Sequence, residues 1–155
     1  MLNSYKPKKG IYPYIIEASP PWDKEPPYPT HTHGLYDIGM PEFLMDPLAF
    51  GGVGNGQRIN SAYNFFKLQK NAGKLNAILN GKTIKLTGPQ LDPKYMKKDP
   101  YVYCFREVTA EFEAVKLAYG SGVAQAMPNI RFIQIYVDGD YFALTDDYYR
   151  GGVTF

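Results

Sequence analysis

The stretch Leu75–Leu86, LNAILNGKTIKL, governs how the fold is read. Apolar residues flank Asn80-Gly81. An Asn-Gly pair in that setting is the strongest short-range hairpin signal, because both residues tolerate the positive φ of a type I′ turn. The stretch therefore predicts two strands, 75–79 and 82–86. A second hairpin is predicted downstream, pairing Ile130–Val137 with Tyr141–Leu144 around Asp138-Gly139. Between the hairpins, a polar loop with Pro89 and Pro93 leads into Tyr101–Val108. There Tyr101, Tyr103 and Phe105 alternate with Val102, Cys104 and Arg106, the pattern of a strand. Thr109 is placed to cap a helix over Ala110–Tyr119, with Gly120 as its stop.

Upstream, Ile59, Ala62, Tyr63 and Phe66 recur at helical spacing and predict a helix from about Gln57 to Ala72, with Asn55 as N-cap. The glycine cluster Gly51–Gly56 reads as a loop before that helix. Thr30–Tyr36 and Glu42–Leu48 read as strands joined by a turn through Asp37, Gly39 and Pro41. Residues 19–29 hold five prolines, which favour extended backbone, and read as a stiff surface loop. Ile11–Glu17 reads as an edge strand because Pro13 cannot donate to a ladder. Residues 1–10 form a basic lead-in. The expected fold is α+β: one domain over residues 1–155, with a mainly antiparallel sheet of about seven strands and two principal helices.

Composition narrows the function. The chain has 155 residues and a net charge of +2, too little for a nucleic-acid or anionic-membrane surface. Its single cysteine, Cys104, excludes an intrachain disulfide and a multi-thiolate zinc site. No apolar run approaches the ~20 residues of a membrane span, and no secretory leader is evident, so a cytoplasmic location is expected. Tyrosine is in excess, with 14 Tyr beside 9 Phe and 1 Trp.

Several short motifs, kept in order over residues 25 to 145, resemble the domain of unknown function 4262 family of small bacterial and phage proteins. They are Thr32-His33-Gly34-Leu35, Gly39-Met40-Pro41-Glu42-Phe43-Leu44, Phe105-Arg106-Glu107-Val108, Tyr119-Gly120 and Gln134-Ile135-Tyr136-Val137-Asp138. Met40 stands where that family has histidine, and His33 where it has an aliphatic residue. The resemblance implies an α+β fold and no particular reaction.

His31 and His33 are the only histidines. Two apart on a strand, they face one side, so both rings reach one metal or one phosphate. A catalytic zinc takes three protein ligands, and no third histidine exists. Asp37, Asp23 or Asp46 would have to serve, and nothing singles one out, so no metal, cofactor or catalytic residue is assigned. The glycine cluster has the placement of a phosphate cradle, with Gly54 offering backbone N–H and Arg58 charge. The P-loop Lys-Ser/Thr is absent, and a mobile loop is the plainer reading. Cys104 reads as a core residue and Glu107, Glu111 and Glu113 as helix-start charges.

These features point to a non-catalytic binding protein. Its ligand would be small and anionic or nucleotide-like, or else a protein partner, as for a phage-type inhibitor or sequestering protein. The wall would comprise Trp22, Tyr28, His31, His33 and Tyr36, with Gly54, Arg58 and Arg106 as anion contacts. The alternatives are a small hydrolase using the His31/His33 pair and a homo-oligomer that buries its exposed tyrosines.

Overall fold

The computed structural model describes residues 3–5, 12–18, 29–111 and 130–140. They form strands β1 (Asn3–Tyr5), β2 (Ile15–Ala18), β3 (Thr30–His33), β4 (Glu42–Met45), β5 (Ile84–Thr87), β6 (Val102–Glu107) and β7 (Phe132–Val137). The helices are α1 (Gly51–Phe66), α2 (Ala72–Leu79) and α3 (Gly88–Leu91), with a further helical turn at 109–111. The strands make one sheet in the order β1-β2-β3-β4-β7-β6-β5. The α+β class holds, but the sheet is mixed. β4 and β7 run parallel, while every other neighbouring pair is antiparallel. Parallel neighbours need a long crossover. Here it is the whole segment from α1 to β6, which no hairpin motif announces.

The expected hairpin at Asn80-Gly81 is not formed. Residues 72–79 are helix α2, and only β5 survives as a strand. Leu75, Ile78 and Leu79 share one helical face; Ile78 is fully buried and the other two pack against the core. Gly81 does adopt positive φ, at 95°. It uses it to end the helix: Gly81 N–H donates to the Ile78 carbonyl and Lys82 N–H to the Ala77 carbonyl, both at 3.0 Å. That is a Schellman closure. A helix stop and a hairpin turn ask for the same glycine conformation, so the dipeptide does not separate them.

The glycine cluster is likewise helical. α1 starts at Gly51 and ends at Phe66, so Gly54 lies inside the helix and its N–H belongs to the helical ladder. A Cβ at Gly54 would meet the Phe50 Cβ at 2.7 Å, so the position is tight rather than a loop open to phosphate. Asn55 is no N-cap; it lies within α1 and its side chain ties the helix start to the sheet. Its Oδ1 accepts from Phe50 N–H (3.2 Å), and its amide donates to Thr30 Oγ1 (3.0 Å) and to the Asp46 carbonyl (2.9 Å). Replacing it orphans these buried groups, so Asn55→Ala is expected to cost about 2 kcal/mol of stability; urea unfolding measures it.

The helix-covered face of the sheet carries the core: Ile16, Phe43, Met45, Tyr103, Phe105, Ile133 and Ile135, packed with Ile59, Ala62, Tyr63 and Phe66 of α1. Much of the aromatic excess goes here. Tyr12, Tyr14 and Tyr63 meet edge to face with centroids 5.0 to 5.8 Å apart. Strand alternation sends the intervening residues to the second face. Register aligns Glu17, His31, Leu44, Gln134 and Arg106 in one row across it. The predicted helix beyond residue 111, the strand 141–144, the tail, the Pro-rich loop and most of the lead-in lie outside the described residues.

Candidate metal centre

Glu17 and His31 sit directly opposite each other on β2 and β3, and His33 pairs with Ile15 one step along. All three side chains project from the second face, as the two-residue period requires. Gly34 (φ 112°) then turns the chain away against β2: a Cβ there would lie 2.8 Å from the Pro13 carbonyl.

The donor atoms converge. His31 Nε2 lies 3.0 Å from His33 Nε2. Glu17 Oε2 lies 3.7 Å from His31 Nε2 and 3.3 Å from His33 Nε2. The rings approach edge to face at 4.8 Å. His31 Nδ1 lies 2.8 Å from the Pro29 carbonyl, which can only accept. Nδ1 of His31 therefore carries the proton, and neutral His31 presents a lone pair at Nε2. A backbone carbonyl fixing the far nitrogen is the usual support of a metal-ligating histidine. Two imidazole nitrogens 3.0 Å apart share either a proton or a cation. Glu17 Oε2 is buried and, among the described residues, accepts no well-aligned hydrogen bond.

These distances suit one ion. The circle through three atoms 3.0, 3.3 and 3.7 Å apart has a radius of about 1.9 Å, against roughly 2.0–2.2 Å for zinc bonds to imidazole and carboxylate. Glu17, His31 and His33 would together supply three protein ligands to such an ion, which leaves coordination for water. Two histidines and a carboxylate form the donor set of catalytic zinc and of non-haem iron(II). His31 is fully buried, whereas the side chains of His33 and Glu17 are 18% and 15% exposed, so the site opens toward these two. The histidines face one side as their spacing predicts, and the carboxylate beside them is Glu17 rather than one of the three aspartates. Asp37 is exposed on a short 3₁₀ turn, Asp46 follows β4, and Asp23 lies outside the described residues. Glu17 escapes sequence reading because its proximity comes from β2–β3 pairing across the Pro-rich segment.

Glu42, at the start of β4, supports the turn after His33. Its Oε1 accepts from Leu35 N–H (2.7 Å) and Tyr36 N–H (3.3 Å). Burial pushes its carboxyl up to about 7, despite backbone donors that favour the charged form.

The described members of the expected binding wall, His31, His33 and Tyr36, do not share one exposed face. His31 has no exposed ring face to stack on. Tyr36 is 42% exposed on the 3₁₀ turn. Trp22 and Tyr28 lie outside the described residues. Arg58 is on α1, which packs on the other face of the sheet, and its guanidinium is occupied. It donates to Tyr103 Oη (2.9 Å), the Gly54 carbonyl (3.1 Å) and Asp99 (3.3 Å), and stacks 3.6 Å from the Phe50 centroid. Arg106 shares the histidines' face but stands three strands from His31 and pairs with Glu111 at 2.8 Å. Cys104 is buried, and desolvation raises its thiol pKa, as expected of an inert core residue. Among the described residues, no helix is long and apolar enough to cross a membrane. No protein-family model, curated protein or solved structure matches the chain.

Proposed function

We propose that the protein binds a divalent transition-metal ion through Glu17, His31 and His33, with open coordination positions for water and a small ligand. The observation that carries this reading is the convergence of three donor atoms within bonding reach of one ion, from a histidine pair whose tautomer is set by Pro29. Of the sequence alternatives, the histidine-pair reading gains most support, because Glu17 lies where a third ligand would be needed. The ligand approaching the open side would be a small anion or a hydrolysable group drawn to the ion, which retains the expected anionic ligand class. The proposed role is therefore metal-dependent binding, with hydrolysis as the chemistry that a metal-bound water would add. Cobalt(II) titration of metal-stripped protein tests it. One equivalent with a visible d–d spectrum that Glu17→Gln alters is expected. Failure of cobalt and zinc to bind overturns the reading.

A further inference from the structure

A separate cleft of about 390 Å³ opens beside α1. We propose that it binds a neutral polyhydroxyl ligand, a mono- or disaccharide, through the carboxamides of Gln57 and Asn64 and the ring of Tyr95.

Gln57, Asn60, Ser61 and Asn64 follow helical spacing and form one polar stripe on α1. A polar stripe ordinarily faces open water. Here it is the floor of a cleft walled by Tyr12 and by residues Asp92, Tyr95 and Asp99, and Asn60 and Ser61 are themselves buried. The floor is tied to Tyr14 and to the cleft's own walls. Tyr14 Oη donates to Asn60 Oδ1 (2.5 Å), Ser61 Oγ donates to Asp92 (2.8 Å), and Asn64 Nδ2 donates to Tyr12 Oη (3.1 Å).

The groups bordering the cleft sort by what they are already doing. The charged ones are engaged with one another or with backbone. Arg58 pairs with Asp99, whose other oxygen accepts from Tyr101 N–H. Asp92 Oδ1 accepts from Lys94 and Tyr95 N–H. Arg58 against Asp92 and Asp99 leaves the lining one charge negative, which disfavours phosphates and other anions. The carboxamides of Gln57 and Asn64 retain hydrogen-bonding capacity, since an amide side chain has two donors and a two-lone-pair acceptor. Amides that both donate and accept suit vicinal hydroxyls, each of which also does both. Tyr95 is 78% exposed, and its ring, which has Lys94 Nζ 5.0 Å from its centroid over one face, offers the opposite face to a pyranose ring. The volume lies at the small end of ligand pockets, the scale of one or two sugar rings.

The cleft lies on the helix-covered side of the sheet, whereas Glu17, His31 and His33 lie on the other, so the two readings stand independently. The test is NMR titration of ¹⁵N-labelled protein in EDTA with maltose, cellobiose, lactose and N,N′-diacetylchitobiose, reading the side-chain amides of Gln57 and Asn64. Glucose 6-phosphate and spermidine are the charged controls. Saturable shifts of these amides by at least one disaccharide are expected, weakened at least about fivefold by Gln57→Ala or by Tyr95→Ala, the loss of one hydrogen bond or stacking contact. Both residues are exposed enough for the variants to keep the native spectrum. The proposal is overturned if no sugar gives a saturable response, if both variants bind as the parent does, or if a charged control binds more tightly than every sugar.

Discussion

Zinc at about a thousandfold excess over its dissociation constant is expected to stabilise the native protein by about 4 kcal/mol, a rise in melting temperature of roughly 10 °C for a chain of this size. Stabilisation follows because the unfolded chain does not hold Glu17, His31 and His33 together. Glu17→Gln keeps the shape of the side chain and removes an anionic ligand. His31→Ala removes a buried ligand and also opens space in the sheet face, so its own stability will fall without metal. The diagnostic quantity is thus the difference between melts in zinc and in EDTA for each variant. Losing a group that merely orients a ligand lowers metal affinity by about 10- to 100-fold, and losing the ligand itself costs more. Both variants should show less than half of the parent's zinc increment at equal zinc. An undiminished increment in Glu17→Gln would mean that zinc binds elsewhere. A control at Asp37, which is exposed, should leave the increment intact.

Strand alternation was legible wherever one face of a strand is core. Tyr103 and Phe105 face the helices and Cys104 and Arg106 the second face of the sheet, as the pattern of β6 requires. Helix positions were legible in the apolar spacing of Ile59, Ala62, Tyr63 and Phe66, but not in the glycines before them. Glycine has a poor helix propensity, yet Gly54 packs too closely on Phe50 to carry a side chain. A close contact with the N-cap residue one turn earlier outweighs propensity there. Asn80-Gly81 misled for a different reason, because one backbone conformation serves two motifs. For the candidate site, the His31/His33 pair was visible from its spacing alone. Glu17 was not, since it lies fourteen positions before His31 and only sheet register joins them. The surroundings of Arg58 were hidden on the same ground. Nothing local in sequence tells that Arg58 is already clamped by Asp99 and Tyr103 or that it lies across the sheet from the histidines.

Glu42 makes the second large prediction, and its sign opposes that of the metal. Its folded carboxyl titrates at about 7, raised by burial above the ordinary 4.5. Between those values the unfolded chain releases the proton while the native state keeps it. Stability of the metal-free protein therefore falls as pH rises through that window, by about 3 kcal/mol in all. The protonated form still accepts the Leu35 and Tyr36 N–H bonds, so the turn behind His33 is retained at low pH. Glu42→Gln mimics that form. In EDTA it should match the parent near pH 4.5, exceed it by about 3 kcal/mol near pH 8, and lack the slope between. A variant less stable than the parent at pH 8 would show instead that the carboxylate's charge holds the turn. Zinc imposes the reverse slope, because imidazoles must shed protons to ligate and affinity drops as pH falls. Zinc-loaded parent should thus lose less stability between pH 5 and 8 than metal-free parent. Zinc-loaded Glu42→Gln should gain stability across the same interval, since the opposing carboxyl is gone while the ion's requirement remains.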